Sequence, residues 1–160
     1  MTLWGALAGG FVGTLVLTTG MRLGTELRLT RIDLPFLLGT AFTADRTRAR
    51  ALGYGLHFVA GLAFATLYYA VFRSIDEASW WLGIVFGLAH AVFAGTALVN
   101  ILLPLLHPRM ATTFSAADAT PLLEPPGFLL LNYGTGTPLV MIAVHLIYGA
   151  IVGEFVALSG

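Results

Sequence analysis

An all-α membrane protein with four transmembrane helices is what this chain encodes, and three features say so. Of its 160 residues, 58% are hydrophobic and 10% charged, whereas soluble domains carry about a quarter charged residues. So few polar side chains cannot cover a globule in water, and lipid is the expected solvent. Four apolar stretches, residues 3–22, 51–72, 80–103 and 138–158, are long enough to cross a hydrocarbon core of about 30 Å. Seven of the eight arginines fall in the connections on one side, and no lysine occurs. The chain therefore reads as one transmembrane domain over residues 1–160. With no cysteine, it offers no disulfide and no thiolate ligand or nucleophile.

The first span carries Gly5, Gly9 and Gly13 at four-residue spacing, a stripe that lets helix backbones approach closely in lipid. Its arginines follow it rather than precede it, so it reads as a retained span and not as a signal peptide. Residues 22–50 hold six arginines, and the positive-inside rule puts them in the cytoplasm. Arg28, Arg31, Arg46, Arg48 and Arg50 are the candidates for contact with anionic lipid headgroups. Within this connection, Ile32–Phe42 is apolar but too short to span, so it is expected to be interfacial or re-entrant. Asp33 and Pro35 suit a helix N-cap and first turn.

The second span runs outward. Tyr68, Tyr69, Trp80 and Trp81 bracket the turn 73–79 and, with Trp4, are expected to form an outer aromatic belt. The third span runs inward with the small stripe Gly83, Gly87, Ala91 and Gly95 and is expected to end at Pro104 and Pro108. Residues 104–137 form the second cytoplasmic connection. It has an Ala/Thr/Ser-rich stretch, Ala111–Thr120, expected to be mobile, and a short apolar piece, Pro125–Gly134. The fourth span then places both termini outside. A multi-pass protein of a prokaryotic plasma membrane is the expected setting.

The halves resemble each other in order and direction: Phe11–Thr14 with Phe93–Thr96, Pro35–Gly39 with Gly127–Gly134, and His57–Ala65 with His145–Gly153. Two tandem hairpin repeats about an axis along the membrane normal are the expected arrangement.

Ionisable groups inside spans are functional candidates. At about 1.5 Å per residue, His57 and His145 lie roughly 10 Å from the cytoplasmic end and His90 about 14 Å from the outer tryptophans. The three share one slab of the bundle. Histidines at one depth can hold heme b through axial ligation or a zinc or copper ion. They can also relay protons or join helices by hydrogen bonds. The small residues after His57 and His145 argue against a large cofactor. Tyr148, one turn beyond His145, is a candidate partner for that histidine or for a ligand. His107, before Pro108, is expected to be solvated. Thr14, Thr18, Thr19 and Thr96 need only their own helix carbonyls, and Asn100 reads as a bond between helices. Glu154 lies near the outer surface, hydrated or paired with Arg73.

The motif R-x-D-x-P-x-L-L-G-x-x-F (Arg31–Phe42), with H-L-I-Y-G-x-x-x-G (His145–Gly153), resembles a family of small four-span prokaryotic membrane proteins of unknown function. The resemblance implies four spans and brings no activity or site. In size and design the chain is also similar to small accessory subunits of respiratory and photosynthetic complexes. Paired carboxylates, a phosphate loop, GxSxG and HExxH are all missing from the sequence, so no enzyme is expected. Nor is nucleic-acid binding, because the basic residues have no folded soluble face. Three functions remain open. One is a non-enzymatic accessory or assembly subunit of a larger membrane complex. Another is a heme or metal protein in electron transfer or sensing, and the third is a small homo-oligomeric transporter. The partners implied are the bilayer and other membrane subunits or further copies of the chain.

Overall fold

A computed structural model describes residues 1–111 and 123–160. The expected Ala/Thr/Ser-rich stretch lies outside these residues save Ala111, as does Asp118. The described residues form helices without a strand, in the order α1 (Leu3–Glu26), α2 (Leu34–Gly39), α3 (Arg46–Ile75) and α4 (Trp80–Phe93). The third long helix continues from α4 as a π-helix, Ala94–Leu102, and a last turn, α5 (Leu103–Leu106). A 3-10 segment, Phe128–Tyr133, and α6 (Thr137–Leu158) follow. Four helices, counting Trp80–Leu106 as one, are long and apolar enough to cross a membrane. Each begins where the local chemistry predicts. Thr2, Asp33, Asp45 and Ser79 accept from backbone N–H groups in the first turns of α1, α2, α3 and α4, and Pro138 stands in the first turn of α6.

Both termini and the turn before α4 lie at one end, where the Thr2 amide donates to Ser159 Oγ (3.0 Å). The arginine-bearing connections lie at the other end and are stitched together. The Arg31 amide donates to Tyr133 O (2.8 Å), Arg31 Nη2 to Asn132 O (2.6 Å), and Thr137 Oγ1 to Thr30 Oγ1 (2.8 Å).

Packing follows the glycines. A Cβ on Gly83 would strike the carbonyl of Gly149, one on Gly149 the carbonyl of Gly83, one on Gly87 that of His145, and one on Gly153 that of Ser79. Thus α4 and α6 touch backbone to backbone, the approach that small-residue stripes permit in lipid. On its other side, α6 meets α1, with Gly9, Gly13 and Gly20 against Phe155, Tyr148 and Val144. α1 meets α3 through Gly10 against Ala65 and Gly61 against Thr14. The helices are therefore ordered α3–α1–α6–α4, and the remaining seam, α3 against α4, is filled by rings. Phe64 stacks on His90 at 3.7 Å between centroids, and Tyr68 and Phe72 lie 5.5 and 5.3 Å from Phe86. Each half repeats the order long helix, short helix, long helix. The packing of the halves is not equivalent, because α1–α6 is closed by glycines and α3–α4 by aromatics.

Several expectations change. Tyr68 is 3% exposed and belongs to the ring-filled seam rather than an outer belt. Its helix turns it inward in register with His57, Gly61 and Ala65. Trp4, Trp80 and Trp81 are exposed at the terminal end. Pro104 does not end the third helix, which runs to Leu106. Pro104 falls just where the ladder leaves π spacing, the Leu103 amide still donating to Leu98 O, so its missing N–H interrupts nothing further. Asn100 does not bridge helices: its Nδ2 donates to Gly95 O (3.1 Å) and Thr96 O (3.0 Å) within the π segment. Glu154 and Arg73 make no ion pair among the described residues.

His107 is buried, not solvated, at 3% exposure. Its Nδ1 accepts from the Arg109 amide (3.2 Å), so in the neutral ring Nε2 carries the hydrogen and donates to Leu37 O (3.0 Å). Thr40 Oγ1 lies 3.2 Å from the same Nε2, and Arg109 Nη1 donates to Thr40 O. The proline after it turns the chain back onto α2, which the sequence did not reveal. His107→Phe removes these bonds, leaving the Arg109 amide without its acceptor and the Leu37 carbonyl with only the Thr40 hydroxyl as donor (2.7 Å) among the described residues. It is expected to lower stability by about 1–3 kcal/mol, with faster amide exchange in residues 34–42 than in α6 as the check.

The apolar stretch Ile32–Phe42 also finds its place. At 30 residues, α3 is about 45 Å long and outruns a 30 Å hydrocarbon core. α2 packs on the first turns of α3, where a Cβ on Gly39 would meet the Ala49 carbonyl and one on Gly53 the Pro35 carbonyl.

Candidate functional site

The three histidines of the spans line one largely apolar chamber of about 110 Å³, together with Thr14, Gly61, Phe64 and Tyr148. α1, α3, α4 with the π segment that continues it, and α6 form its walls. Leu34 and Leu38 of α2 and Leu130 also line it. Leu129 and Leu130 have φ of 49° and 64°, a left-handed conformation that costs a non-glycine residue on the order of 1 kcal/mol or more. Leu130 is nonetheless buried against the chamber.

The hydrogen bonds assign the imidazole tautomers. The Thr18 hydroxyl donates to Thr14 O (2.7 Å). With its one proton so used, it accepts from His57 Nδ1 (3.0 Å). His145 Nδ1 donates to Met141 O (2.7 Å). Both rings therefore carry their proton on Nδ1 and present a bare Nε2. For His90, the buried Tyr68 hydroxyl lies 3.3 Å from Nδ1. It has no other partner among the described residues and donates there, which puts the His90 proton on Nε2. The rings of His90 and His145 meet edge to face at 4.8 Å.

None of the three Nε2 atoms has a protein partner among the described residues. Yet no fully covered side-chain nitrogen or oxygen there lacks one. Each Nε2 therefore keeps some accessible surface, and all three residues line the chamber.

His57 also faces a second, open cavity of about 400 Å³, lined by Arg22, Glu26, Asp33, Arg50 and Tyr54. It leads from the arginine-bearing end to the imidazole. Two ion pairs flank it, Arg22–Glu26 at 3.0 Å and Arg50–Asp33 at 2.8 Å. His57 thus stands between a polar vestibule and the apolar chamber.

Tyr148 is buried, but it is not the partner of His145. Its hydroxyl donates to Gly61 O (2.6 Å), tying α6 to α3, and its ring lies 5.7 Å from His90. Of the five expected headgroup arginines, Arg31 and Arg50 hold the connections together as described, and Arg46 lies over the Phe36 ring at 5.4 Å. Arg28 and Arg48 are exposed. Sequence reasoning passed over Thr18, Phe64 and Tyr68. The last two share one face with His57 at helical spacing, a signal that was available. Thr18 gave none.

A heme does not fit this chamber. Cofactor-sized ligands occupy pockets of about 300–1,000 Å³, and the small positions beside the histidines are taken, Gly61 by Thr14 and Gly149 by the Gly83 carbonyl. Among the described residues no three His, Asp or Glu side chains are grouped to hold a metal ion. Comparison with protein families, with characterised proteins and with solved structures found no match for this chain.

Proposed function

We propose that this protein is a small transporter-type membrane protein. A compact solute enters from the arginine-rich, cytoplasmic face through the vestibule, passes His57, and is held in the histidine chamber near the bilayer midplane. The observation that carries this reading is the position of His57 on the wall of both cavities. A purely structural bundle has no use for the chamber. At about 24 cal/mol per Å³, a void of this size costs about 2–3 kcal/mol, and bare imidazole nitrogens facing it add to that cost. The ring-filled seam of Tyr68, Phe72 and Phe86 closes the route toward the opposite face. In this state, therefore, the chamber communicates with one side.

The absence of cysteine makes the route directly testable by introduced thiols. Tyr54→Cys, in the vestibule, is expected to react with a membrane-impermeant thiosulfonate from the arginine-rich side only. Ala60→Cys, on the chamber wall, is expected to react with silver ion from that side. Adding His57→Trp is expected to slow the second reaction about tenfold or more, since access then needs local opening of the bundle. Equal reaction of Ala60→Cys from both sides, or indifference to His57→Trp, would sink the pathway.

A further inference from the structure

The proton positions in the chamber define what it can bind. Two walls present hydrogen-bond acceptors, Nε2 of His57 and Nε2 of His145, because Thr18 and Met141 O fix the protons of those rings on Nδ1. A third wall presents a donor, Nε2–H of His90, because the Tyr68 hydroxyl occupies its Nδ1. His145 is buried, at 7% exposure, and is among the residues lining the chamber. No carboxylate and no arginine lines this space. An ion held there without a covalent bond would have no counter-charge to offset its lost hydration; silver ion is captured at Ala60→Cys because it bonds to the introduced thiolate. An anion would also face two lone pairs. The volume, about 110 Å³, matches roughly four water-sized centres at about 30 Å³ each.

We infer that the chamber is a binding site for a neutral molecule of about four non-hydrogen atoms, one that donates at least two N–H hydrogen bonds and accepts one, a small primary amide or urea. Its N–H groups are received by His57 and His145 and its carbonyl by His90. Tyr68 and Thr18 act as positioning residues, holding the imidazoles in the tautomers that make this pattern. The inference rests on the proposed pathway for access but concerns only what is bound.

The test uses the whole chain in lipid bilayers with ¹⁵N-labelled histidine, read by solid-state NMR, and urea as the probe. His57 and His145 are each expected to show an unprotonated Nε2 and a protonated Nδ1, with His90 reversed. Millimolar urea is expected to move both unprotonated Nε2 resonances saturably toward the hydrogen-bonded range. Tyr68→Phe, which frees the His90 proton to change nitrogen, is expected to weaken binding about tenfold, as the loss of one hydrogen bond would, while the His57 tautomer stays put. The inference is overturned if the bare nitrogens are Nδ1, if urea leaves both resonances unmoved, or if zinc ion shifts them and urea does not, which would make this a metal site. If urea shifts them while Ala60→Cys stays inert to silver ion, the binding site stands and the pathway alone fails.

Discussion

Gly149→Val is expected to abolish the native bundle. At this position the α6 backbone lies directly on the α4 backbone, and a Cβ would meet the carbonyl of Gly83, with the Gly87 Cα behind it. Neither obstacle is a side chain that could rotate away, and the contact is reciprocal, since Gly83 is pressed against Gly149 in the same manner. In lipid, helices associate through packing rather than through a hydrophobic driving force. Holding α4 and α6 apart therefore removes the contact that seats His90 against His145. Overpacking in cores costs about 1–3 kcal/mol and more where backbone must move. With two more side-chain carbons than alanine has, valine is expected to exceed that range. Thermal unfolding in mild detergent is the measurement. Gly55→Val is the control, because a Cβ there meets nothing within 4 Å, and it is expected to leave the transition within a few degrees of wild type.

Gly53→Leu is expected to do something different: to release α2 while leaving the four spans assembled. The glycine touches the Pro35 backbone of α2 and lies at the arginine end of α3, away from the Gly10–Ala65 and Gly61–Thr14 contacts that join α3 to α1. Leu34 and Leu38 of α2 line the histidine chamber, so its displacement opens the chamber toward the charged face. Amide exchange in residues 34–39 is expected to rise about a hundredfold or more, the loss of a local opening cost near 3 kcal/mol, while α6 keeps its protection. In the same protein, Ala60→Cys is expected to react faster with silver ion and to lose its dependence on residue 57. Unchanged exchange in α2 would mean that α2 is not held by this contact.

Much of the bundle was legible because its causes are local. Small residues at four-residue spacing mark the helix faces that meet, and Gly83, Gly87, Gly149 and Gly153 do meet. Asp33 before Leu34–Gly39 reads as a cap and is one, its Oδ1 accepting from the Phe36 amide at 3.1 Å. The threonines bond back to their own helices as their chemistry suggests. The depth argument placed three histidines in one slab, and all three line one chamber. What stayed hidden depends on partners far apart in the chain. Thr18 becomes part of the site only because α1 carries it to His57, 39 residues away. His107 is buried only because α2 lies beneath it, with Leu37 O 70 residues distant. Tyr68 resembled an interfacial tyrosine by its place near a helix end, yet the seam between α3 and α4 needed rings to fill it.

The sequence by itself determined the number of long apolar helices, the asymmetry of their arginines and the level of the ionisable groups within them. Apolar length, charge and helical rise accumulate residue by residue and need no knowledge of neighbours. The tertiary structure alone decided that glycines close three helix contacts and aromatics the fourth. It also decided that a small void remains among the helices, and that the protons of His57 and His145 are held on Nδ1 while that of His90 is on Nε2. Voids and tautomers are properties of groups that surround a space, and in this protein those groups come from six separate stretches of the chain.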